Sequence, residues 1–180
     1  FAKNKLTPYG KSASIVCGDM RNFNLDKTFD LIFVGFNSFL HLLYDDDAIS
    51  CLSCVKDHMH NKSRFIIDVY IPNPLFLYRP RGVAFPIMEY LDSRTNRLVY
   101  VEESNEYDSV AEINKLIWSF SLKNKIVFRK EVFLLRMYFP CKLNQLLIDS
   151  GFKILNKWGD YYRNKLSGES KIQIYDSSLK

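Results

Sequence analysis

The residues Phe29-Asp30-Leu31-Ile32-Phe33-Val34-Gly35 form a short, nearly continuous apolar run. A run of this kind, without strict polar alternation, is typical of a parallel strand that is covered on both faces. A second such run, Arg64 to Tyr70, follows a segment with helical signals, in which Asp45 is the expected N-cap and Asp46 and Asp47 suit the first turn. Strand, helix and strand in this order predict an α/β fold with a doubly wound sheet. With 180 residues, 47% of them hydrophobic, the chain is long enough for one such domain.

The remaining elements follow from turn residues and from apolar periodicity. Ala13 to Cys17 predicts a short strand, and the helix after Asp45 is expected to run to about Met59. Pro140 is expected to open a helix that ends at Gly151. Two closing strands are expected at residues 152–157 and 171–175.

The segment between these two parts has a different texture. Alternating stretches separated by turn residues cover residues 84–91, 98–107, 112–122 and 127–138. They predict a four-stranded antiparallel meander. We therefore divide the chain into an α/β domain, residues 1–82 and 139–180, and an inserted antiparallel β lid, residues 83–138.

Functional groups in doubly wound sheets lie at the carboxyl ends of the strands. The expected strand ends here carry Cys17-Gly18-Asp19, Gly35-Phe36-Asn37 and Asp68-Val69-Tyr70, and we expect all three to face one crevice. Gly18 permits close backbone approach, the Asp19 carboxylate could accept from an amino group, and the Met20 N–H could donate to a ring nitrogen. That pairing suits adenine, although a simple strand-ending turn also explains Gly-Asp.

Residues 13–44 resemble class I S-adenosylmethionine-dependent methyltransferases, through Gly18-Asp19-Met20-Arg21-Asn22-Phe23 and the stretch from Phe29 to Leu42. The match is to the segment from the third strand of that family's Rossmann-like sheet through the loop after the fourth strand, so the resemblance implies a Rossmann-like methyltransferase sheet whose N-terminal strands are missing. The helix after Pro140 and the closing strands resemble the last helix and strands six and seven. The meander resembles the substrate lid of the small-molecule branch, which includes glycine N-methyltransferase and the amino-sugar N-methyltransferases.

The resemblance implies a role for each matching position. S-adenosylmethionine would be the cofactor, with Gly18, Asp19 and Met20 at its adenine. Gly35, Phe36 and Asn37 would line its ribose and methionine part. His41 is the candidate general base, because an unperturbed histidine titrates near neutrality. Tyr70 would border the substrate and share the catalytic role, and Tyr138 would be a further substrate contact. The acceptor would be an amine or hydroxyl of a small molecule. The positive net charge of the C-terminal third of the chain suggests that this molecule also has an anionic group.

The family's glycine-rich loop and the acidic residue that ends its second strand have no counterpart in this sequence. Because the family's fourth strand pairs with its first, residues 31–34 are expected to present an unpaired apolar edge. We expect that edge to be open, swapped, or covered by a preceding segment or a second copy of the chain.

The four cysteines do not suggest a disulfide framework, so we expect reduced thiols and a cytoplasmic protein. Cys51, Cys54 and His58 lie at helical spacing on one face, which indicates a buried helix face near Ile49, Leu52 and Val55 rather than a metal site. No apolar run reaches the length of a membrane span.

The distribution of charge and the residues that follow the strand at 31–34 both bear on the alternative functions. Residues 1–112 carry a net charge of −3 and residues 113–180 a net charge of +8, with the lysines scattered singly. A base methyltransferase acting on RNA or DNA is disfavoured, because Gly35-Phe36-Asn37-Ser38 lacks the Asp/Asn-Pro-Pro-Tyr/Phe pattern of that class. A degenerate α/β domain that binds a protein partner through its lid remains the non-enzymatic alternative.

Overall fold

The computed structural model describes residues 2–180, except for the side chains of Ala2, Lys3 and Lys11. In chain order, the helices and strands over this range are α1 (Ala2–Leu6), β1 (Leu31–Val34), α2 (Asp45–Asp57), β2 (Arg64–Tyr70), α3 (Pro74–Leu77), β3 (Phe85–Asp92), β4 (Arg97–Asp108), β5 (Ile113–Ser121), β6 (Val127–Arg136), α4 (Pro140–Asp149), β7 (Phe152–Trp158) and β8 (Ile172–Leu179). The described strands form a core sheet in the order β1-β2-β8-β7 and a separate lid sheet in the order β3-β4-β5-β6.

The core sheet combines one parallel and two antiparallel pairings. β1 runs parallel to β2, with Leu31 opposite Arg64, whereas β8 lies antiparallel between β2 and β7. Helices α2 and α4 supply Leu52 and Leu147 to a core that also contains Phe65 and Phe152, whose ring centroids are 5.3 Å apart. Each such side chain contributes about 1.5–3 kcal/mol on burial, so this cluster holds the sheet and helices together.

Helix α2 is amphipathic, as its sequence predicts, but its ends differ slightly from the prediction. Asp45 is the first helical residue rather than the N-cap, which is Tyr44, and the helix ends at Asp57 rather than near Met59. Cys51, Leu52 and Val55 are buried as expected, whereas Ile49 is exposed. The three aspartates of the first turn remain favourably placed at the positive end of the helix dipole.

Two expectations for the first third of the chain are wrong. Residues 13–17 do not form a strand, because they have no ladder partner among the described residues. β1 is not covered on both faces, because Leu31 and Phe33, which share one face, are 56% and 71% exposed. In the described part of the chain, β1 also pairs only with β2, so its other edge has no partner strand. The open apolar edge expected at residues 31–34 is therefore present.

The lid is the four-stranded antiparallel meander that the sequence predicts. Consecutive strands pair in order, with register shifts between Pro86 and Met88 and between Phe120 and Ser121. Val99, Val101 and Phe120 form a small apolar cluster of its own. One face of this sheet is therefore partly buried, as antiparallel sheets often are.

A charged cluster joins the lid to the core. The Arg136 guanidinium, with its side chain 9% exposed, donates to the Leu43 carbonyl at 2.6 Å, to Asp45 at 3.2 Å and to Glu112 at 3.3 Å. Lys142 of α4 donates to the same Glu112 carboxylate at 2.5 Å. Residues of β6, of the β4–β5 turn, of α2 and of α4 thus meet at one point, which fixes how the lid leaves the core sheet.

Across residues 2–180, every helix is too short or too polar to cross a membrane.

Candidate active site

The carboxyl ends of β1 and β2 lie at the same edge of the core sheet, because the two strands are parallel. Since β8 runs antiparallel to β2, the connection from β7 to β8, residues 159–171, also lies at this edge. The lid departs from this edge through α3. The topology therefore concentrates loops from both halves of the chain where doubly wound sheets bind ligands.

The loop after β1 has an unusual backbone. Phe36 and Asn37 both have positive φ, 56° and 60°, a conformation that costs a residue with a side chain of the order of 1–2 kcal/mol. The Phe36 ring is 96% exposed at the same point. Strained residues of this kind concentrate at functional sites, and an exposed aromatic ring offers a surface to a ligand.

Asn37 connects this loop to the end of β2. Its side-chain oxygen accepts a hydrogen bond from the Tyr70 N–H at 2.7 Å, and Ser38 Oγ donates to the Gly35 carbonyl at 2.8 Å. The structure thus brings Asn37 and Tyr70 into direct contact. A donating side-chain NH₂ group remains on Asn37 for a ligand.

Tyr70 lies half-buried between the core sheet and the lid. Its hydroxyl donates to Met137 Sδ at 3.1 Å. Burial, with a smaller contribution from the negative charge of Glu103, raises the pKa of Tyr70 well above its ordinary value of 10. The hydroxyl therefore stays protonated near neutral pH. Tyr70 can donate a hydrogen bond to a substrate or position it, but it cannot serve as a general base.

Asp19 is held by its neighbour in the chain. Arg21 donates to the Asp19 carboxylate from its backbone N–H at 2.9 Å and from its guanidinium at 2.6 Å, and it reaches Asp47 at 3.0 Å. These bonds lower the pKa of Asp19 to about 2. Asp19 is therefore an ionised, exposed acceptor beside the first turn of α2.

The other residues predicted for the adenine end differ in exposure. The Met20 side chain packs against the core cluster, so its backbone is firmly placed. Gly18 is exposed, and a Cβ there would meet no described protein atom within 4 Å. The backbone at Gly18 is therefore open to a ligand.

His41 and Tyr138 occupy opposite environments. His41 lies exposed at the end of the short 3₁₀ segment Ser38–His41, next to the loop after β1. Tyr138 is fully buried: its hydroxyl donates to the Leu42 carbonyl at 2.8 Å and its ring packs 5.2 Å from that of Phe39. Tyr138 therefore supports the loop from within the core, and in this conformation it presents no surface to a substrate.

The structure adds two groups that the sequence did not indicate. Tyr161 of the β7–β8 connection donates to Asp68 Oδ2 at 2.7 Å, close to Gly35, where a Cβ would lie 3.8 Å from the same oxygen. Within the lid, Glu103 of β4 accepts from Trp118 Nε1 of β5 at 2.8 Å. The only sequence signal for Glu103 is its spacing. It lies two residues after Val101 and four after Val99, so it shares the buried face of β4 with these two residues.

The cysteine–histidine face of α2 is engaged in packing. His58 is buried, with Nδ1 2.7 Å from the Cys54 carbonyl and Nε2 accepting from the Leu25 N–H at 2.8 Å. Burial raises the pKa of the Cys51 thiol to about 12. Within residues 2–180, no cluster of three or more His, Cys, Asp or Glu side chains is arranged to hold a metal ion.

No protein-family model matches the chain, and no curated protein sequence matches it. Solved structures do. A methyltransferase from Clostridium acetobutylicum described as S-adenosylmethionine-dependent is 21% identical with a TM-score of 0.79, covering 99% of this chain and 69% of its own. The CcbJ methyltransferase from Streptomyces caelestis is 17% identical with a TM-score of 0.81, covering 99% of this chain and 73% of its own.

A third similar structure is CalS10 from Micromonospora echinaspora, an amino pentose methyltransferase solved with S-adenosylmethionine bound. It is 15% identical with a TM-score of 0.60, covering 91% of this chain and 63% of its own. These similarities extend over the core sheet and the lid together. The chain therefore has the fold of class I S-adenosylmethionine-dependent methyltransferases.

Proposed function

We propose that this chain forms part of an enzyme that transfers a methyl group from S-adenosylmethionine to an amine or hydroxyl of a small molecule. The observation that carries the proposal is the loop after β1, where Phe36 and Asn37 have positive φ and Phe36 is exposed at the carboxyl edge of the core sheet. The fold supports methyl transfer as the reaction class, and the hydrogen-bonding groups of the surrounding side chains match those of S-adenosylmethionine.

The residues at this edge have the donors and acceptors that the cofactor needs. The ionised Asp19 carboxylate would accept from the adenine amino group, and the Met20 N–H would donate to the ring. The free NH₂ of Asn37 would donate to a ribose hydroxyl or to the methionine carboxylate. The exposed Phe36 ring would cover apolar surface of the ligand.

When bound, S-adenosylmethionine supplies a methyl group that is already activated by its positively charged sulfur. The protein's main task is therefore to hold the acceptor in line and to exclude water. Tyr70 and the buried face of the lid would position the acceptor. His41 would take up a proton where the acceptor must lose one.

The unpaired edge of β1 is also part of the proposed cofactor site. Leu31 and Phe33 are exposed on a strand that pairs only with β2 in the described part of the chain. Such an edge readily accepts another strand. We propose that a further strand, from the same polypeptide or from a second copy, pairs there and completes the cofactor site.

The similar structures support a small-molecule acceptor over nucleic acid, since one of them acts on an amino pentose. The basic residues after position 112 would favour an acceptor with an anionic group.

The test is calorimetric titration of the full-length protein with S-adenosylmethionine, comparing wild type with Asp19→Asn. A charge-assisted hydrogen bond is worth about 1.5–3 kcal/mol, so the variant should bind roughly 10- to 100-fold more weakly. Asp57→Asn, at the exposed end of α2, is the matched control and should bind as wild type does. If the full-length wild type does not bind the cofactor, a non-catalytic partner-binding domain becomes the better account.

A further inference from the structure

Glu103 is a carboxylate in an unusual place. It lies in the middle of β4, only 8% exposed, in phase with the apolar residues Val99 and Val101. Charged side chains are rarely buried unless they are paired, because removing a carboxylate from water costs several kcal/mol. The partners of this carboxylate therefore show what kind of group the position holds.

The surroundings of Glu103 have the chemistry of a cation site. Trp118 Nε1 donates to one carboxylate oxygen at 2.8 Å, and the Trp118 ring meets that of Phe133 edge to face at 5.1 Å. A carboxylate flanked by aromatic rings attracts a positive charge both by its own charge and through the ring faces.

The protein's own cation occupies this site. The Arg79 guanidinium lies over the rings of Phe76 and Phe85, 4.6 and 4.5 Å from their centroids. It reaches the second carboxylate oxygen of Glu103 through a single long bond of 3.3 Å. Arg79 belongs to the connection between α3 and β3, outside any helix or strand, and about a quarter of its side chain is exposed.

Glu103 also lies in the part of the lid that is close to Tyr70. Its charge is felt by the Tyr70 hydroxyl, whose pKa it helps to raise. The backbone of Tyr70 is in turn bonded to Asn37, in the loop proposed to hold the cofactor. Asn105, two residues further along the same face of β4, donates to the Leu77 carbonyl of α3 at 3.0 Å. This face of the lid therefore contacts the segment that follows β2.

We propose that Glu103 is the specificity-determining residue that binds the amino group of the methyl acceptor, and that Arg79 holds this position until the acceptor arrives. The inference rests on the proposed function and narrows its acceptor from an amine or hydroxyl to an amine. A carboxylate accepts up to about four hydrogen bonds, of which the described residues supply two, so an ammonium group can bind as the long Arg79 contact gives way.

The Trp118 indole N–H reports on this carboxylate directly. We suggest titrating full-length, ¹⁵N-tryptophan-labelled protein with benzylammonium and, separately, with benzyl alcohol, while following the indole resonances. Benzylammonium should shift the Trp118 signal saturably and leave Trp158, the second tryptophan, in place. Glu103→Gln should weaken this binding at least about 30-fold, the lower end expected for loss of a buried charge partner.

Two further variants make the result decisive. Glu102→Gln changes the exposed neighbour on the same strand and should bind benzylammonium as wild type does. Arg79→Met removes the competing cation, so it should tighten benzylammonium binding by about threefold or more, whereas a purely structural Arg79–Glu103 pair predicts no tightening.

Equal binding of the alcohol and the ammonium, no shift with either probe, or unchanged affinity in both the Glu103 and Arg79 variants would overturn the proposal. Cofactor titration of the same samples separates this failure from failure of the proposed function. A protein that binds S-adenosylmethionine but ignores benzylammonium would retain the methyltransferase proposal and lose the role of Glu103.

Discussion

The link between Asn37 and Tyr70 offers a direct test of how the loop after β1 is held in place. Replacing Asn37 by alanine removes the oxygen that accepts the Tyr70 N–H at 2.7 Å. An amide left without a partner in a partly buried position costs about 1–3 kcal/mol. Alanine at a φ of 60° adds about 1 kcal/mol of backbone strain, which asparagine tolerates better. Asn37→Ala should therefore lower the free energy of unfolding by about 2–4 kcal/mol.

Companion variants separate these two costs. Asn37→Asp keeps an accepting oxygen and should lose less than about 1 kcal/mol. Asn37→Gly relieves the strain but not the lost bond, so it should fall between the other two. Asn96→Ala is the matched control: Asn96 also has a positive φ, 52°, but it lies in the β3–β4 turn and its side chain makes no comparable link to another element of the described chain.

Urea unfolding gives the free energies, and hydrogen exchange of the Tyr70 amide reports on the bond itself. That amide should exchange faster in Asn37→Ala than in Asn37→Asp. If Asn37→Ala unfolds within about 0.5 kcal/mol of Asn37→Asp, or if the Tyr70 amide exchanges equally in both, then the loop is not held by this bond and our reasoning is wrong.

Three further predictions concern the charged and titratable groups. Arg136→Met should destabilise the protein by about 2–4 kcal/mol in urea unfolding, since it leaves the Leu43 carbonyl without its donor and removes one of the two cations that bind Glu112. Arg129→Met, at an exposed pair on the same strand, should cost less than about 1 kcal/mol. Arg21→Met should raise the pKa of Asp19 from about 2 toward its ordinary value of 3.8, measured by ¹³C NMR titration of the carboxyl group. In the wild type, the stability contributed by Asp19 is present above pH 3.8 and is lost as the pH falls toward 2. The Cys51 thiol, with its pKa raised to about 12, should resist iodoacetamide at pH 8 in the native protein and react only on unfolding, as mass spectrometry of the labelled peptides would show.

The sequence predicts the strands best where local pattern and tertiary environment agree. The sequence predicts Arg64–Tyr70 with its observed bounds, because this run lies between two neighbouring strands and is bounded by polar turns. Residues 13–17 have a similar local pattern, but a strand requires a ladder partner. That requirement depends on the rest of the sheet, which no local window contains.

The residues of the candidate site also divide into those that local sequence predicts and those that depend on tertiary neighbours. The position of Gly35, Phe36 and Asn37 at a strand end follows from the order of elements, and the structure places them there. The burial of Tyr138 and the salt bridge between Arg21 and Asp19 depend on three-dimensional neighbours or on rotamers, and periodicity does not report them. Glu103 could have been noticed only as a charge in phase with apolar residues on a predicted lid strand.

The strain at Phe36 and Asn37 links the stability of the molecule to its proposed activity. Two successive residues at positive φ persist only because Asn37 is tied to β2 and because Ser38 bonds back to Gly35. We expect that a ligand which uses the Phe36 ring and the Asn37 NH₂ group would benefit from a loop already held in shape.

The most direct test of the account is a crystal structure of the full-length protein with S-adenosylhomocysteine, the demethylated product of the proposed cofactor. The account predicts the adenine beside Asp19 and Met20, the remainder of the ligand along Gly35, Phe36 and Asn37, and a strand paired with the free edge of β1. Ligand bound away from this edge, or a Gly35–Asn37 loop that makes no contact with it, would contradict the central claim.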